Sequence, residues 1–487
     1  MEARNLTLLT DLYELTMMQG YFKNEEVNQP AVFDMFYREN PSHGGYAVMA
    51  GVEQVAEYIR NLHFESEQID YLRSLGIFGE DFLDYLKSFR FTGSIWAVPE
   101  GSVVFPHEPI LKVIAPIMQA QLIETAVLNI INHQCLIATK AARVCYAAGA
   151  EVMEFGARRA QGADASIYGA RAAVIGGCTG TSNVIAGQMF DIPVKGTNAH
   201  SWIMSFPDEL TAFRRYAELY PDACVFVADT YDTLKSGVPH AIRVFSEMRD
   251  KGIHPKMYGI RLDSGDLAYL SKQTKKMFDE AGFPDAVIIG SNDLDEYLIE
   301  SLRAQGAKIT NWAVGTSLIT SKDWSAFGGV YKMAAIMTPD GVLEPKIKIS
   351  ENSEKNTNPG SKKILRIYEK DSGKILADLL CLADETFRES DDLILFDPLE
   401  PWKKTKLKGG IYNLREMLEP VFIDGKCCFK PVPVMEIRCI CQRELSTLWD
   451  ETKRFINPHQ VYVDLSDTLF KLKKELLAKK GEENIRQ

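Results

Sequence analysis

The residues best suited to chemistry lie in the stretch Lys195-Gly-Thr-Asn-Ala-His-Ser-Trp202. A Gly-Thr pair can offer backbone N–H groups to an anion, and a histidine placed just beyond can exchange a phosphoryl group or a proton nearby. That combination suggests phosphate chemistry. The same residues also read as a strand-to-helix turn, with Thr197 or Asn198 as N-cap and His200 half buried. What separates the two readings is the company the stretch keeps. Six other polar tips share its frame: Glu154-Phe-Gly-Ala-Arg-Arg159, Gly176-Gly-Cys-Thr-Gly-Thr-Ser-Asn183, Ala228-Asp-Thr-Tyr-Asp232, Arg261-Leu-Asp-Ser-Gly-Asp266, Gly290-Ser-Asn-Asp293 and Gly315-Thr-Ser317.

Each tip follows an apolar run and precedes a helical pattern. The runs Cys224-Val-Phe-Val227, Met257-Tyr-Gly-Ile260, Ala286-Val-Ile-Ile289 and Trp312-Ala-Val314 do not alternate. Strands buried on both faces need such runs, and helices between them imply parallel connections. Polar and glycine residues gathered after the strands are the mark of a parallel α/β barrel, whose sites lie at that end. A doubly wound open sheet would show the same texture.

The flanking segments have other textures. Residues 10–22 read as a helix opened by Thr10 or Asp11, with Glu14 placed to help cap it. Tyr13, Met17 and Tyr21 share one face, as a core stripe or as an aromatic ring offered to a flat ligand. Residues 31–38 read as a strand ending at Arg38, residues 46–90 as helical, and residues 91–116 as short β-segments punctuated by Gly and Pro. Residues 119–148 suggest one long helix or two abutting ones. The expected organisation is an N-terminal α+β domain over 1–118, the barrel over 119–340, and a mobile loop with a C-terminal α+β extension over 341–487, parts of which pack on the N-terminal domain.

Lys346, Lys348, Lys355, Lys362 and Lys363 lie in or beside the polar segment 351–363. Such a loop is either a solvated surface or a lid over a phosphorylated substrate. Residues 365–442 mix β-segments with prolines, and 466–480 form a closing helix.

Composition narrows the function classes. The 487 residues carry a formal net charge of -11, which argues against nucleic-acid binding, so anionic ligands need local basic pockets. The first residues lack the pattern of a secretory leader, and no run of about 18 apolar residues appears, which points to a cytoplasmic protein without membrane contact. Nine cysteines in so long a chain fit reduced thiols. Cys427, Cys428, Cys439 and Cys441 match no standard zinc spacing; alternating strand positions explain them, with a metal site as the alternative.

Asp11-Leu-Tyr-Glu-Leu-Thr16, Glu154-Phe-Gly-Ala-Arg-Arg-Ala-Gln-Gly162, Gly196-Thr-Asn-Ala-His-Ser-Trp202, Arg261-Leu-Asp-Ser-Gly-Asp-Leu267 and Asn356-Thr-Asn-Pro-Gly360 together closely resemble the nicotinate phosphoribosyltransferase family. The resemblance implies an irregular parallel α/β barrel with an N-terminal α+β domain and a small C-terminal extension, assembled as a homodimer with shared active sites. It implies the joining of nicotinate to phosphoribosyl pyrophosphate, giving nicotinate mononucleotide and pyrophosphate with coupled ATP hydrolysis, the first step of NAD salvage from nicotinate.

It also implies roles. Tyr13 and Phe155 would sandwich the pyridine ring. Arg158 and Arg261 would meet the nicotinate carboxylate and the substrate phosphates, with their division of labour open. Asp263 and Asp266 would face the ribose hydroxyls and the pyrophosphate end, where Mg²⁺ is held through the substrate with its protein ligands unassigned. Gly290, Asn292, Gly315 and Thr316 would hold the ribose 5′-phosphate. Thr181, Ser182, Thr197 and Ser201 complete the implied substrate-binding set. His200 would become a phosphohistidine at the expense of ATP, with Asp263 and Arg261 beside it in the catalytic group.

The segment 180–183 carries hydroxyls and an amide but no carboxylate. That favours nicotinate over nicotinamide, whose enzymes place an aspartate there. Quinolinate phosphoribosyltransferase fits less well, being much shorter and free of ATP. The outside alternatives are a catalytically silent barrel acting in binding, and a lyase using Lys195 or Lys332 as a Schiff base.

Overall fold

The computed structural model describes residues 4–24, 26, 28–352, 355–400 and 402–485. The chain divides into two compact units, one of residues 137–325 with 433–439 and one of residues up to 136, 326–432 and from 440 onward. The helix expected across 119–148 is two abutting ones, Ile117–Leu122 and Glu124–Ala148, and the boundary between the units falls inside the second.

The unit of residues 137–325 is built on five strands, β1 (Glu151–Glu154), β2 (Ala223–Val227), β3 (Met257–Leu262), β4 (Val287–Gly290) and β5 (Asn311–Val314). They run parallel in the order β1-β5-β4-β3-β2. Helices Val238–Asp250, Leu267–Glu280 and Glu296–Ala304 make the crossovers from β2 through β5, as parallel neighbours require. Both faces of the sheet are covered, which accounts for the unbroken apolar runs. On one face Met153, Val225, Ile289 and Ala313 pack together. On the other, Phe226 stacks against Phe213 at 4.4 Å and Phe245 at 5.5 Å, both carried by flanking helices.

The barrel expected from sequence does not close. Beyond β1 the sheet continues only as single bridges, Glu154 to Thr181 and Thr181 to Val194. Pro193 lies in that stretch and has no N–H to donate, so only its carbonyl serves, accepting from the Thr181 N–H at 3.1 Å. At the far side, the Val227 N–H of β2 is accepted by the side-chain oxygen of Asn198 at 2.9 Å, where a regular barrel would supply a backbone carbonyl. The observed sheet is therefore an open parallel ladder with an irregular margin.

Two devices hold it. Gly259 in β3 sits at φ +156°, and a Cβ there would fall 1.9 Å from the Val287 carbonyl oxygen, so the β3–β4 approach requires glycine. Glu296 is fully buried between Lys140 (2.7 Å) and Arg143 (2.8 Å), tying the long helix to the helix Glu296–Ala304. A buried carboxylate without those partners would be expelled toward water or protonated.

The other unit carries a seven-stranded antiparallel sheet with Pro30–Phe36 between Val330–Met337 and Leu111–Pro116, and a six-stranded sheet centred on Ile375–Leu382 and Lys362–Glu369. Arg366 is fully buried there, forked onto Asp378 at 2.9 and 2.7 Å and donating to the Val103 carbonyl at 2.8 Å.

Several expectations change in this unit. Helix Leu12–Lys23 begins after Asp11, but Glu14 does not cap it; its side chain is fully buried and accepts from Gln121. Lys362 is no solvated loop residue, since its ammonium pairs with Asp34 at 2.7 Å with both side chains buried. Cys439 and Cys441 lie on the helix Val434–Thr447, not on a strand. Among the described residues no group of three His, Cys, Asp or Glu side chains is arranged to hold a metal. Among the described residues no helix is long and apolar enough to cross a membrane.

Substituting Gly259→Ala should break β3–β4 pairing and shift urea unfolding by 3 kcal/mol or more, roughly the scale of a backbone clash in a core. Gly252→Ala, at φ +73° in open space, should cost only about 1–2 kcal/mol. A second test uses Glu14, whose carboxyl is pushed by burial from 4.5 up to about 7. A carboxyl pKa raised on folding stabilises the protonated form, so that contribution is full at low pH and is lost as pH rises from the unfolded value toward 7. The Tm of Glu14→Gln relative to the native protein should therefore rise between pH 4.5 and pH 7.

Candidate active site

The tips that follow the parallel strands enclose one cavity of about 560 Å³, lined wholly from the unit of residues 137–325. Its walls can be built strand by strand.

After β1, the chain turns at Phe155 and Gly156. The Phe155 N–H donates to the Val314 carbonyl of β5 at 2.8 Å, which seats the ring at the cavity wall. Arg158 and Arg159 follow in an exposed turn, and both line the cavity. After the single bridge at Thr181, Ser182 reaches the cavity while Asn183 caps the helix Val184–Phe190, accepting from the Ala186 N–H. Gly196 and Thr197 then run along the wall. A Cβ at Gly196 would meet nothing within 4 Å, so packing does not demand glycine here and the bare backbone faces free space.

His200 opens the short helix His200–Met204. Its Nδ1 lies 3.0 Å from the Thr230 hydroxyl, and its Nε2 lies 3.7 Å from Asp263 and 4.0 Å from Asp229. Two carboxylates beside Nε2 favour the proton there. Nδ1 is then the nitrogen with the lone pair, and Thr230 donates to it.

The Asp263 backbone is itself fixed by Asp229, whose buried carboxylate accepts the Asp263 N–H at 3.0 Å and the Ser264 hydroxyl at 2.6 Å. Ser291, after β4, donates to the Asp263 carboxylate at 2.6 Å. Asn292 and Asp293 adopt φ +85° and +21°, a conformation seldom seen outside Asn, Asp and Gly. Gly315 lets β5 pass close to Phe155, since a Cβ would stand 3.2 Å from the Phe155 carbonyl oxygen.

The charge pattern suits an anionic ligand despite the acidic chain. Three guanidiniums, from Arg158, Arg159 and Arg261, share the cavity with two carboxylates, Asp263 and Asp293. The Nε of Arg261 and the side-chain amide nitrogen of Asn198 are buried without a protein partner, and both residues line the cavity. Unpaired buried donors cost about 1–3 kcal/mol each until an acceptor arrives. The carboxylates offer hard oxygen donors but no complete cage. They fit Mg²⁺, which keeps waters and substrate oxygens, better than a metal that needs a full protein ligand set.

Of the residues expected from sequence, Phe155, Arg158, Arg261, Asp263 and His200 converge here, as do Ser182, Thr197, Asn292, Gly315 and Thr316. Others do not. Thr181 is fully buried and its hydroxyl donates to Glu154 at 2.6 Å. Gly290 packs against Ile309 at the end of β4, and Ser201 is exposed on its short helix. Asp266 caps the helix Leu267–Glu280 through the Tyr269 N–H at 3.0 Å. Tyr13 belongs to the other unit, on the helix Leu12–Lys23, half exposed. Among the described residues no lysine lines the cavity, and Lys195 stands 3.5 Å from Glu151, which leaves the Schiff-base reading without a base.

Sequence reasoning assigned no role to Glu154, Asp229, Thr230 or Ser291, and read Thr197 or Asn198 as an N-cap, a position that Ala199 takes. Asp229 and Ser291 lay in tips already recognised as polar. Their signal was a polar residue next to a strand end, where a neighbouring loop needs an acceptor or a donor.

The model of the nicotinate phosphoribosyltransferase N-terminal domain matches residues 8–132, that of the nicotinate phosphoribosyltransferase family matches 150–382, and that of its C-terminal domain matches 361–473. A nicotinate phosphoribosyltransferase of Bacillus subtilis is 47% identical over 464 residues, covering 95% of this chain and 93% of that one. One of Caenorhabditis elegans is 35% identical over 528 residues, covering 95% and 92%. A crystal structure of human nicotinic acid phosphoribosyltransferase superposes with a TM-score of 0.83 at 28% identity, covering 96% of this chain and 99% of that one.

Asp229→Ala should leave the Asp263 N–H unpaired, lowering stability by about 1–3 kcal/mol and speeding hydrogen exchange at that amide. Asp266→Ala, which removes only a helix cap, should cost about 1 kcal/mol and leave exchange at Asp263 unchanged.

Proposed function

The chain belongs to the nicotinate phosphoribosyltransferase family, and from that premise we propose that it joins nicotinate to phosphoribosyl pyrophosphate, releasing pyrophosphate, with ATP hydrolysed through a phosphohistidine at His200. The observation that carries the reading is the meeting in one cavity of a flat aromatic ring, three guanidiniums and an imidazole flanked by carboxylates.

The ring nitrogen of nicotinate displaces pyrophosphate at ribose C1, and positive charge develops on the sugar as the leaving group departs. Phe155 offers one face for the pyridine ring. Arg261, Arg158 and Arg159 are the cations available to the nicotinate carboxylate and the phosphates, and the orphaned Nε of Arg261 is a donor in want of such an acceptor. Asp263, held by Asp229 and Ser291, supplies negative potential for the developing charge without a protein nucleophile at the sugar. Gly196, with its open backbone, and Thr316, Asn292 and Gly315 are placed to receive phosphate oxygens. Mg²⁺ bound through the pyrophosphate would neutralise the leaving group; Asp263 and Asp293 are the cavity carboxylates that would hold its water shell.

His200 takes the γ-phosphoryl group of ATP at Nδ1, the nitrogen that the carboxylates leave unprotonated, as the bond from Pγ to the bridging oxygen breaks and ADP departs; water then hydrolyses the phosphoramidate bond, returning the imidazole and inorganic phosphate. Thr230 must release Nδ1 for that step. The homodimer belongs to the same proposal: Leu12, Tyr13 and Met17 are exposed on one helix, and a second copy covering them would bring Tyr13 to a site as the second ring of the sandwich. Ser182 at the wall and the lack of a carboxylate side chain in 180–183 support an acid over an amide substrate.

The test is product formation from phosphoribosyl pyrophosphate and Mg²⁺ with nicotinate, nicotinamide or quinolinate, each with and without ATP. Nicotinate mononucleotide made faster with ATP is expected, and turnover of nicotinamide in its place would refute the acid assignment. His200→Ala should keep slow synthesis and lose both ATP stimulation and acid-labile labelling from γ-labelled ATP; stimulation that survives in the variant would sink the phosphohistidine. Phe155→Ala should raise the KM for nicotinate about three- to tenfold, the equivalent of about 0.5–1.5 kcal/mol of ring stacking.

A further inference from the structure

Glu154, the last residue of β1, is fully buried, and among the described residues no cation pairs with it. Burial pushes its carboxyl above the ordinary carboxylate range. A lone buried carboxylate is costly, so its hydrogen bonds must do something that an apolar side chain would not. It makes two. One carboxylate oxygen accepts the Gly156 N–H, and the other accepts the Thr181 hydroxyl at 2.6 Å. The Thr181 oxygen in turn accepts the Asn183 N–H at 3.0 Å, which leaves its own proton for Glu154.

The arrangement brackets two cavity residues. Phe155 lies between Glu154 and Gly156, and Ser182 lies between Thr181 and Asn183. Each cavity residue therefore has, on both sides of it in the chain, a residue bound into the same carboxylate network. The backbone adds to the tie, since the Ser182 N–H donates to the Glu154 carbonyl at 2.9 Å and the Glu154 N–H to the Gly180 carbonyl at 3.0 Å. There is little slack on the first side, where a Cβ at Gly156 would fall 2.8 Å from the Glu154 carboxylate and 2.6 Å from Ile319.

We propose that Glu154 is a positioning residue for the ring subsite, whose carboxylate ties the Phe155 turn to the Ser182 turn and so fixes where the Phe155 ring and the Ser182 side chain stand relative to each other at the cavity wall. The proposal rests on the assignment of a pyridine ring to this cavity. Glu154 itself does not line the cavity. Its effect is on fit, because a ring stacked on Phe155 is sensitive to small displacements of the neighbouring Ser182 turn.

The experiment compares Thr181→Val, which is close in shape but lacks the donor, with Glu154→Gln and with Thr181→Ser, which keeps the hydroxyl. Steady-state kinetics should show a rise in KM for nicotinate of about tenfold in Thr181→Val and Glu154→Gln, the scale of a buried hydrogen bond lost. The KM for phosphoribosyl pyrophosphate should stay near the native value, and Thr181→Ser should recover most of the nicotinate affinity. Hydrogen exchange gives a readout that does not need turnover: Gly156 and Asn183 should lose protection together in Glu154→Gln.

An unchanged nicotinate KM in both variants overturns the proposal. Equal losses for both substrates with a fallen Tm also overturn it, since that is general loosening. If the native protein turns over no nicotinate, the assignment of the ring fails on its own account. The frame is then decided by exchange, where loss of protection at both walls upholds it and loss at one or neither overturns it.

Discussion

A parallel sheet satisfies its backbone only as far as its ladder runs, and everything at the functional end of this structure follows from what happens beyond that point. The ladder stops at Glu154, Val227, Leu262, Gly290 and Val314, and the N–H groups that come next still need acceptors. Neighbouring strand-end carbonyls take some of them, and side chains supply the rest that can be traced. Glu154 accepts from Gly156, Asn198 from Val227 and Asp229 from Asp263, while Ser291 ties the Asp263 carboxylate to the tip after β4. The polar tips are thus knitted to one another by buried side chains, and two donors buried without a protein partner, the Arg261 Nε and the Asn198 amide nitrogen, belong to residues that line the cavity.

This division explains which parts of the molecule were legible in its sequence. Apolar runs such as Cys224–Val227 identified sheet strands because both faces are covered, and the polar tips identified the end where the site lies. The rest depended on pairing that sequence does not print. The short pieces around Thr181 and Val194 carry the residue types of a barrel's remaining strands, yet they join the sheet only through the bridges Glu154–Thr181 and Thr181–Val194, so closure failed where periodicity had suggested it. Glu14 shows the same limit on a smaller scale. Its position matched a capping pattern, but Gln121, distant in sequence, offered a better partner inside.

The site was legible to the extent that its residues contribute themselves. Phe155, Arg158, His200, Arg261 and Asp263 line the cavity with their own side chains. Thr181, Asp266 and Gly290 belong to the same motifs but work for the backbone, as a buried hydroxyl, a helix cap and a packing glycine. Motif membership alone cannot separate those classes. The supporting carboxylates were harder still, since Glu154 and Asp229 are buried acids whose purpose appears only when their acceptor bonds are traced to other loops.

The division of the chain bears on how the protein is made. Strand Pro30–Phe36 pairs with Val330–Met337, so its neighbour leaves the ribosome roughly 300 residues later, which at about 5–20 residues per second is on the order of 15–60 s. The unit of residues 137–325 is nearly continuous and can collapse first, whereas the amino-terminal segment must wait with an apolar strand edge uncovered. During translation that edge is open to mispairing with other nascent chains, a point at which a chaperone would act.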